Sequence, residues 1–208
     1  HLNLHKTFTT PHGGGGPGAG PVGVKSHLRE FLPVPIVRKD GDGYRLDYDL
    51  ENSIGRDRSF YGNFGNLVRA YAYIKTLGKE GLRDVSAKAV LNSNYMARLV
   101  EEAGYRISVD APIMHEFITQ PPAGIKTVDI AKALLDYGVH PMTVYFPLVV
   151  REAMMIEPTE TESLETLEEY AELMGKLLRE AQDDPEAFRE APHSTPVRRL
   201  DEVQAARR

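Results

Sequence analysis

HLNLHKTFTTPHGGGGPGAG, residues 1–20, holds the densest chemistry in the chain. Residues 2–8 alternate apolar and polar side chains, which predicts a short strand ending at Thr9-Thr10-Pro11. Residues 12–23 cannot continue it, because four consecutive glycines followed by Pro17, Gly18, Gly20, Pro21 and Gly23 make a loop. Lys6 lies at the junction, between His5 and Thr7. A lysine projecting from a strand end into a site can be desolvated, which lowers its pKa and makes it a Schiff-base nucleophile. The competing reading is a solvated surface lysine, and spacing alone leaves the two level.

The glycine loop is open to several readings. Successive backbone amides in such turns can cradle an anion. Gly23-Val24-Lys25-Ser26 misses a P-loop by one extra residue before the lysine. His12 followed by three glycines is similar to the oxyanion loop of lipases, but no G-x-S-x-G elbow occurs to supply a nucleophile. A flexible wall lining or gating a pocket is an equal alternative. His1, His5 and His12 invite a metal reading, yet the first 29 residues contain no carboxylate. HExxH is also absent, since His115-Glu116 runs on into Phe117-Ile118-Thr119. No metal is expected.

Around this segment the chain is ordinary. It has 208 residues, 41% hydrophobic and 26% charged, with a net charge of -5, as expected of a folded domain or two. No run reaches the ~18–20 apolar residues of a membrane span. The mild acidity argues against a general nucleic-acid binder. The absence of cysteine removes disulfides, thiolate nucleophiles and cysteine-ligated zinc. Residues 157–190 hold 12 acidic and 3 basic side chains, so the acidity belongs to one C-terminal segment. No targeting segment is visible before His1, and the opening without methionine is read as the start of a C-terminal part of something longer.

Spacing predicts a short helix over 25–31 and a hairpin of 35–39 with 44–48 around Asp40-Gly41-Asp42-Gly43. Helices follow over 64–78 and 84–103, each ending at a glycine. Next come strands 105–109 and 114–119, a helix over 128–137 closed by Gly138, and a strand over 144–149. Residues 163–181 form an amphipathic helix with Leu164, Leu167, Ala171, Met174, Leu177 and Leu178 on one face, capped by Thr161 or Ser163. Its acidic lead-in is read as a capped, solvated face, with a docking surface as the alternative. Tyr61, Tyr71 and Tyr73 are expected in a core or interface.

The first 33 residues resemble the lysine segment of glycine decarboxylase, the pyridoxal-phosphate-dependent P-protein family of the glycine cleavage system. His5-Lys6-Thr7, Pro11-His12 and the glycine loop through Val24-Lys25 carry the likeness. Further matches are Ala70-Tyr71-Ala72-Tyr73-Ile74-Lys75, Leu91-Asn92-Ser93-Asn94-Tyr95-Met96, His115-Glu116-Phe117, Asp136-Tyr137-Gly138 and Met155-Ile156-Glu157-Pro158-Thr159-Glu160. The likeness covers about residues 1–182, and 122–125 with 140–147 look most like the β-type subunit of bacteria with a split enzyme.

The resemblance implies an α/β and α+β chain of aminotransferase-like fold type I: the end of the large cofactor domain (1–60), linking helices (61–104), the small C-terminal domain (105–190) and an extended tail (191–208). It implies pyridoxal 5'-phosphate on Lys6, with His5 and Asn3 facing the cofactor, and glycine as substrate. A lipoylated H-protein would receive the aminomethyl group, and an α-type companion subunit or N-terminal half would complete the site. Residues 13–20 would act as a movable wall admitting the lipoyl arm. A non-catalytic assembly subunit of the same fold and a decarboxylase of another amino acid are the alternatives. The implied compartment is the bacterial cytoplasm, or the mitochondrial matrix for a eukaryotic source.

Overall fold

A computed structural model describes residues 1–8, 18–57 and 61–207. The chain divides into two compact units, His1–Leu82 and Arg83–Arg208.

In the first unit the strand expected over residues 2–8 is replaced by a single helical turn, α1 (Leu4–Thr7). The alternating pattern does produce extended pairing at its start. Leu2 N donates to Pro21 O at 3.2 Å and Leu4 N to Ala19 O at 3.0 Å. Beyond Leu4 the backbone closes locally, with Lys6 N bonding to Asn3 O and Phe8 N to Leu4 O. Local closure satisfies these donors without a partner strand, which a period-two reading cannot foresee.

The short helix expected over 25–31 is a 3-10 turn, Ser26–Phe31. β1 (Ile36–Asp40) and β2 (Gly43–Asp47) form the expected hairpin, with Val37 opposite Leu46 and Gly41 at φ 59 in its turn. Arg38 and Arg45 flank the buried Asp47 across the ladder. Arginine at both neighbours and the Asp49 N–H hold that carboxyl below its ordinary range against the opposing pull of burial. α2 (Phe64–Glu102) covers both helices expected at 64–103 and is interrupted at Gly78, whose φ of 64 and ψ of -170 no helix accommodates.

The second unit is a four-stranded antiparallel sheet under helices. β3 (Arg106–Ile107), β4 (Phe117–Gln120), β5 (Thr143–Val144) and β6 (Met154–Ile156) lie in the order β3-β4-β6-β5. Phe117 pairs with Ile156 and Val144 with Met154. β3 lies within the strand expected at 105–109, β4 overlaps that expected at 114–119 and runs on to Gln120, and β5 shares only Val144 with that expected at 144–149. β6 was not anticipated, because its three residues are too few for alternation to register. α3 (Thr127–Asp136), α4 (Leu164–Asp183) and α5 (Pro185–Glu190) complete the layer, and a short α6 (Glu202–Ala206) lies within the expected tail.

The core is built from Met96, Ala97 and Val100 of α2, Ile130 and Leu134 of α3, Met154 and Ile156 of β6, and α4. α4 buries Leu167, Ala171, Met174, Leu177, Leu178 and Ala181, the face its spacing predicts, while Leu164 is 55% exposed. Ser163 is its cap, Oγ accepting from Thr166 N. Tyr105 is buried and its hydroxyl donates to Met174 O at 3.0 Å, which joins the end of α2 to α4. Gly104, at φ 109, permits the reversal between them. The asparagines of the 91–96 motif also have structural partners. Asn92 Nδ2 donates to Thr159 O at 2.8 Å and Asn94 Nδ2 to Ile113 O at 3.0 Å.

The expected tail is strapped along one face of α3. Asp129, Lys132 and Asp136 recur at helical spacing and meet Arg199, Glu202 and the 193–194 backbone respectively. Asp129 is 4% exposed and accepts from Arg199 Nη2 at 2.7 Å. Arg199→Ala strips a buried carboxylate of its cation and is expected to cost about 2–4 kcal/mol in denaturant unfolding. Arg199→Lys should recover part of this, and equal stability of all three proteins would contradict the strap.

Asp136 is a carboxylate at the C-terminal end of a helix, where the dipole disfavours it. Burial pushes its pKa up, but the Ser194 N–H and Oγ–H and the His193 N–H outweigh that and hold it below its ordinary value. A lowered folded pKa adds stability above the ordinary value that is lost as pH falls through the folded one. Amide protection at His193 and Ser194 should therefore persist through mildly acid solution and fail only below about 3.8, the ordinary aspartyl value. Hydrogen exchange corrected for intrinsic rate would show it, and protection unchanged on acidification would refute it.

Candidate active site around Lys6

Lys6 follows a buried anchor. Leu4, 8% exposed, fixes the turn on the interior of the first unit, so that Lys6, two positions on, is exposed. Phe8 packs edge-on against Tyr73 of α2, with centroids 6.2 Å apart. Of the tyrosines expected in a core or interface, Tyr73 alone is half-buried, while Tyr61 and Tyr71 are exposed.

His5 is half-buried, and its Nδ1 accepts from Ala19 N at 3.1 Å. Ala19 O also lies 3.2 Å from the same nitrogen, where a ring protonated on Nδ1 would donate to it. Asn3 occupies the cap position of α1 without capping it, and its Oδ1 accepts from His1 Nε2 at 2.9 Å. The Asn3 amide nitrogen keeps its donor character.

Gly18, Ala19 and Gly20 form the near end of the glycine loop, and they meet Asn63 just before α2, the Lys6 turn and His1 respectively. Asn63 Nδ2 donates to Gly18 O, and Ala19 engages both Leu4 N and His5. A Cβ at Gly20 would lie 2.5 Å from His1 Cε1, so a side chain there would displace the ring. The structure thus brings Asn3, His5 and Lys6 onto one short turn held by residues 18–21. His12, and residues 13–17 of the expected movable wall, lie outside the described residues. Ala19 was not foreseen as the partner of His5, since a backbone contact across fourteen residues leaves no mark in residue type.

Lys6 and His5 supply a primary amine and an imidazole donor. Among the described residues no carboxylate forms an ion pair with Lys6. An accessible, unpaired amine beside fixed polar groups suits covalent attachment of a carbonyl compound.

A family model described as glycine dehydrogenase, C-terminal domain, matches residues 85–195, more than half of the chain. The chain belongs to this glycine dehydrogenase family. It is 61% identical over 207 residues to a Thermus thermophilus protein named "Probable glycine dehydrogenase (decarboxylating) subunit 2", covering all of this chain and 43% of that protein. A protein of the same name from Halalkalibacterium halodurans is 58% identical over 212 residues, again covering 100% and 43%. The chain therefore spans less than half the length of these relatives.

Among solved structures, an inhibitor-bound glycine decarboxylase (P-protein) of the glycine cleavage system superposes with a TM-score of 0.67 at 22% identity, covering 82% of this chain and 41% of that one. The apo cysteine desulfurase of Thermococcus onnurineus NA1 gives 0.53 at 17% identity, covering 70% and 38%. The fold of this glycine dehydrogenase chain is accordingly aminotransferase-like fold type I, as the resemblance implied. Among the described residues, no helix is long and apolar enough to cross a membrane.

Proposed function

We propose that the protein bearing this chain decarboxylates glycine with pyridoxal 5'-phosphate bound through Lys6 Nζ, and passes the aminomethyl group to the lipoyl arm of an H-protein. It works with a companion subunit, as the relatives named subunit 2 suggest. The observation that supports this best is the exposed amine of Lys6 on a buried-anchored turn, next to an imidazole held against the Ala19 backbone. When bound, the cofactor supplies an electron sink for the carbon bond that breaks.

The remaining roles belong to the chain's own residues. Lys6 Nζ would hold the cofactor, and as a primary amine it could also move a proton at the reacting carbon. The His5 ring and the Asn3 amide are the polar groups beside Lys6 able to orient an anionic group. The Ala19–His5 bond and the buried Leu4 keep these groups from drifting away from Lys6.

Borohydride reduction of the protein loaded with pyridoxal 5'-phosphate, followed by peptide mapping, tests the anchor. A pyridoxyl adduct on Lys6 is the expected result. An adduct elsewhere overturns the site, and no adduct favours a non-catalytic assembly subunit. Glycine–bicarbonate exchange that requires lipoylated carrier tests the substrate. Exchange with a bulkier amino acid in place of glycine would point to another decarboxylase.

A further inference from the structure

Two residues other than glycine have a left-handed backbone among the described residues, Tyr145 at φ 58 and Glu152 at φ 51. They flank a single loop, between β5 and β6, and the Glu152 side chain reaches the N-terminus of α3. The Glu152 carboxylate accepts from Thr127 N at 2.8 Å and its carbonyl from Thr127 Oγ1 at 2.7 Å. Tyr145 N donates to Ala153 O at 2.8 Å, which ties the other end of the loop to the start of β6. A turn bond from Val150 N to Pro147 O, 3.0 Å, closes the loop on itself.

This clamped loop presents Phe146, Leu148 and Val149 at 53, 87 and 92% exposure. Strained backbone at both ends, held by specific bonds, fixes an apolar tip in solvent, where it gains nothing by burial. Next to it, Arg106, Lys126 and Arg151 line a cleft of about 650 Å³. Glu152, the only carboxylate lining that cleft, is engaged by α3. An apolar centre beside a cationic rim is the composition of a protein interface. A two-fold contact between copies would turn the three cations toward their own like charges, which disfavours self-association.

We propose that residues 146–149 dock into an apolar socket rimmed by carboxylates on the companion subunit, with Arg106, Lys126 and Arg151 facing those carboxylates. This rests on the reading that a companion subunit exists. Rigid presentation by the Tyr145 and Glu152 clamps lowers the ordering cost of binding.

Because these 208 residues contain no cysteine, Leu148→Cys places a thiol at the tip that peptide mapping can follow. Its maleimide labelling should slow about 10-fold or more when the companion subunit is added, as burial of an anchor residue implies. Leu148→Asp should weaken association by about 10- to 100-fold, more steeply at low salt, with an unchanged thermal midpoint for the chain alone. Unchanged labelling within a complex that still forms overturns the docking site and leaves the companion reading intact. Failure to form any complex overturns both. Protection that appears without the companion and grows with protein concentration overturns the proposal in favour of a second copy.

Discussion

Lys6→Arg is expected to abolish glycine decarboxylation by the assembled enzyme while leaving the fold intact. Arginine keeps the positive charge, but its guanidinium cannot form the covalent link to a carbonyl that a lysine amine forms. The loss should be at least 10³-fold, since a positioned proton-transfer group alone contributes about 10²–10⁴ and the covalent anchor goes with it. Lys6 is exposed, so thermal unfolding should match that of the parent protein. Added pyridoxal 5'-phosphate should no longer be reducible onto the 1–8 peptide. Retention of a tenth of the activity by Lys6→Arg would remove this lysine from the chemistry.

The second large effect concerns stability. Leu177 of α4 is fully buried within the cluster formed by α2, α3 and β6. Leu177→Ala removes apolar contacts and leaves a cavity that close-packed neighbours fill only in part, costing about 3–4 kcal/mol. For a unit of this size the thermal midpoint should fall by on the order of 10 °C. Leu164→Ala, on the same helix but exposed, should change it by less than about 0.5 kcal/mol. Denaturant unfolding of the pair separates the two cases, and similar losses at both positions would contradict the burial pattern.

These two helix positions also mark how far the sequence could be read. The spacing of Leu167, Ala171, Met174 and Leu178 settles which side of α4 is inside, because helical periodicity over twenty residues is unambiguous. Leu164 fits the same spacing yet is exposed, since it stands in the first turn, at the rim of the core. The hairpin at 36–47 was legible because Asp-Gly chemistry specifies its turn. The turn around Lys6 was not. HLNLHKT satisfies a strand pattern, and what selects a helical turn is the point at which pairing with residues 19–21 runs out.

The same limit applies to the strap on α3 and to the clamps on the 145–152 loop. Asp136, Arg199, Tyr145 and Glu152 are ordinary polar residues by type. Their roles come from contacts made across tens of residues, or from a left-handed backbone that no side chain announces. Lys6 was singled out by its place before the glycine loop, His5 and Asn3 by the resemblance, and the geometry adds what a motif lacks: a burial and a partner for each ring or amide.

The bond from Ala19 N to His5 Nδ1 ties an electronic property to a mechanical one. While the exit of the glycine loop stays in place, Nδ1 rests against the Ala19 amide and carbonyl, which sets its electronic surroundings. If that segment withdraws, Nδ1 loses its backbone contacts and its surroundings change. The displacement of a stretch of backbone can therefore be followed through a single ring, from the nitrogen chemical shifts of one ¹⁵N-labelled histidine.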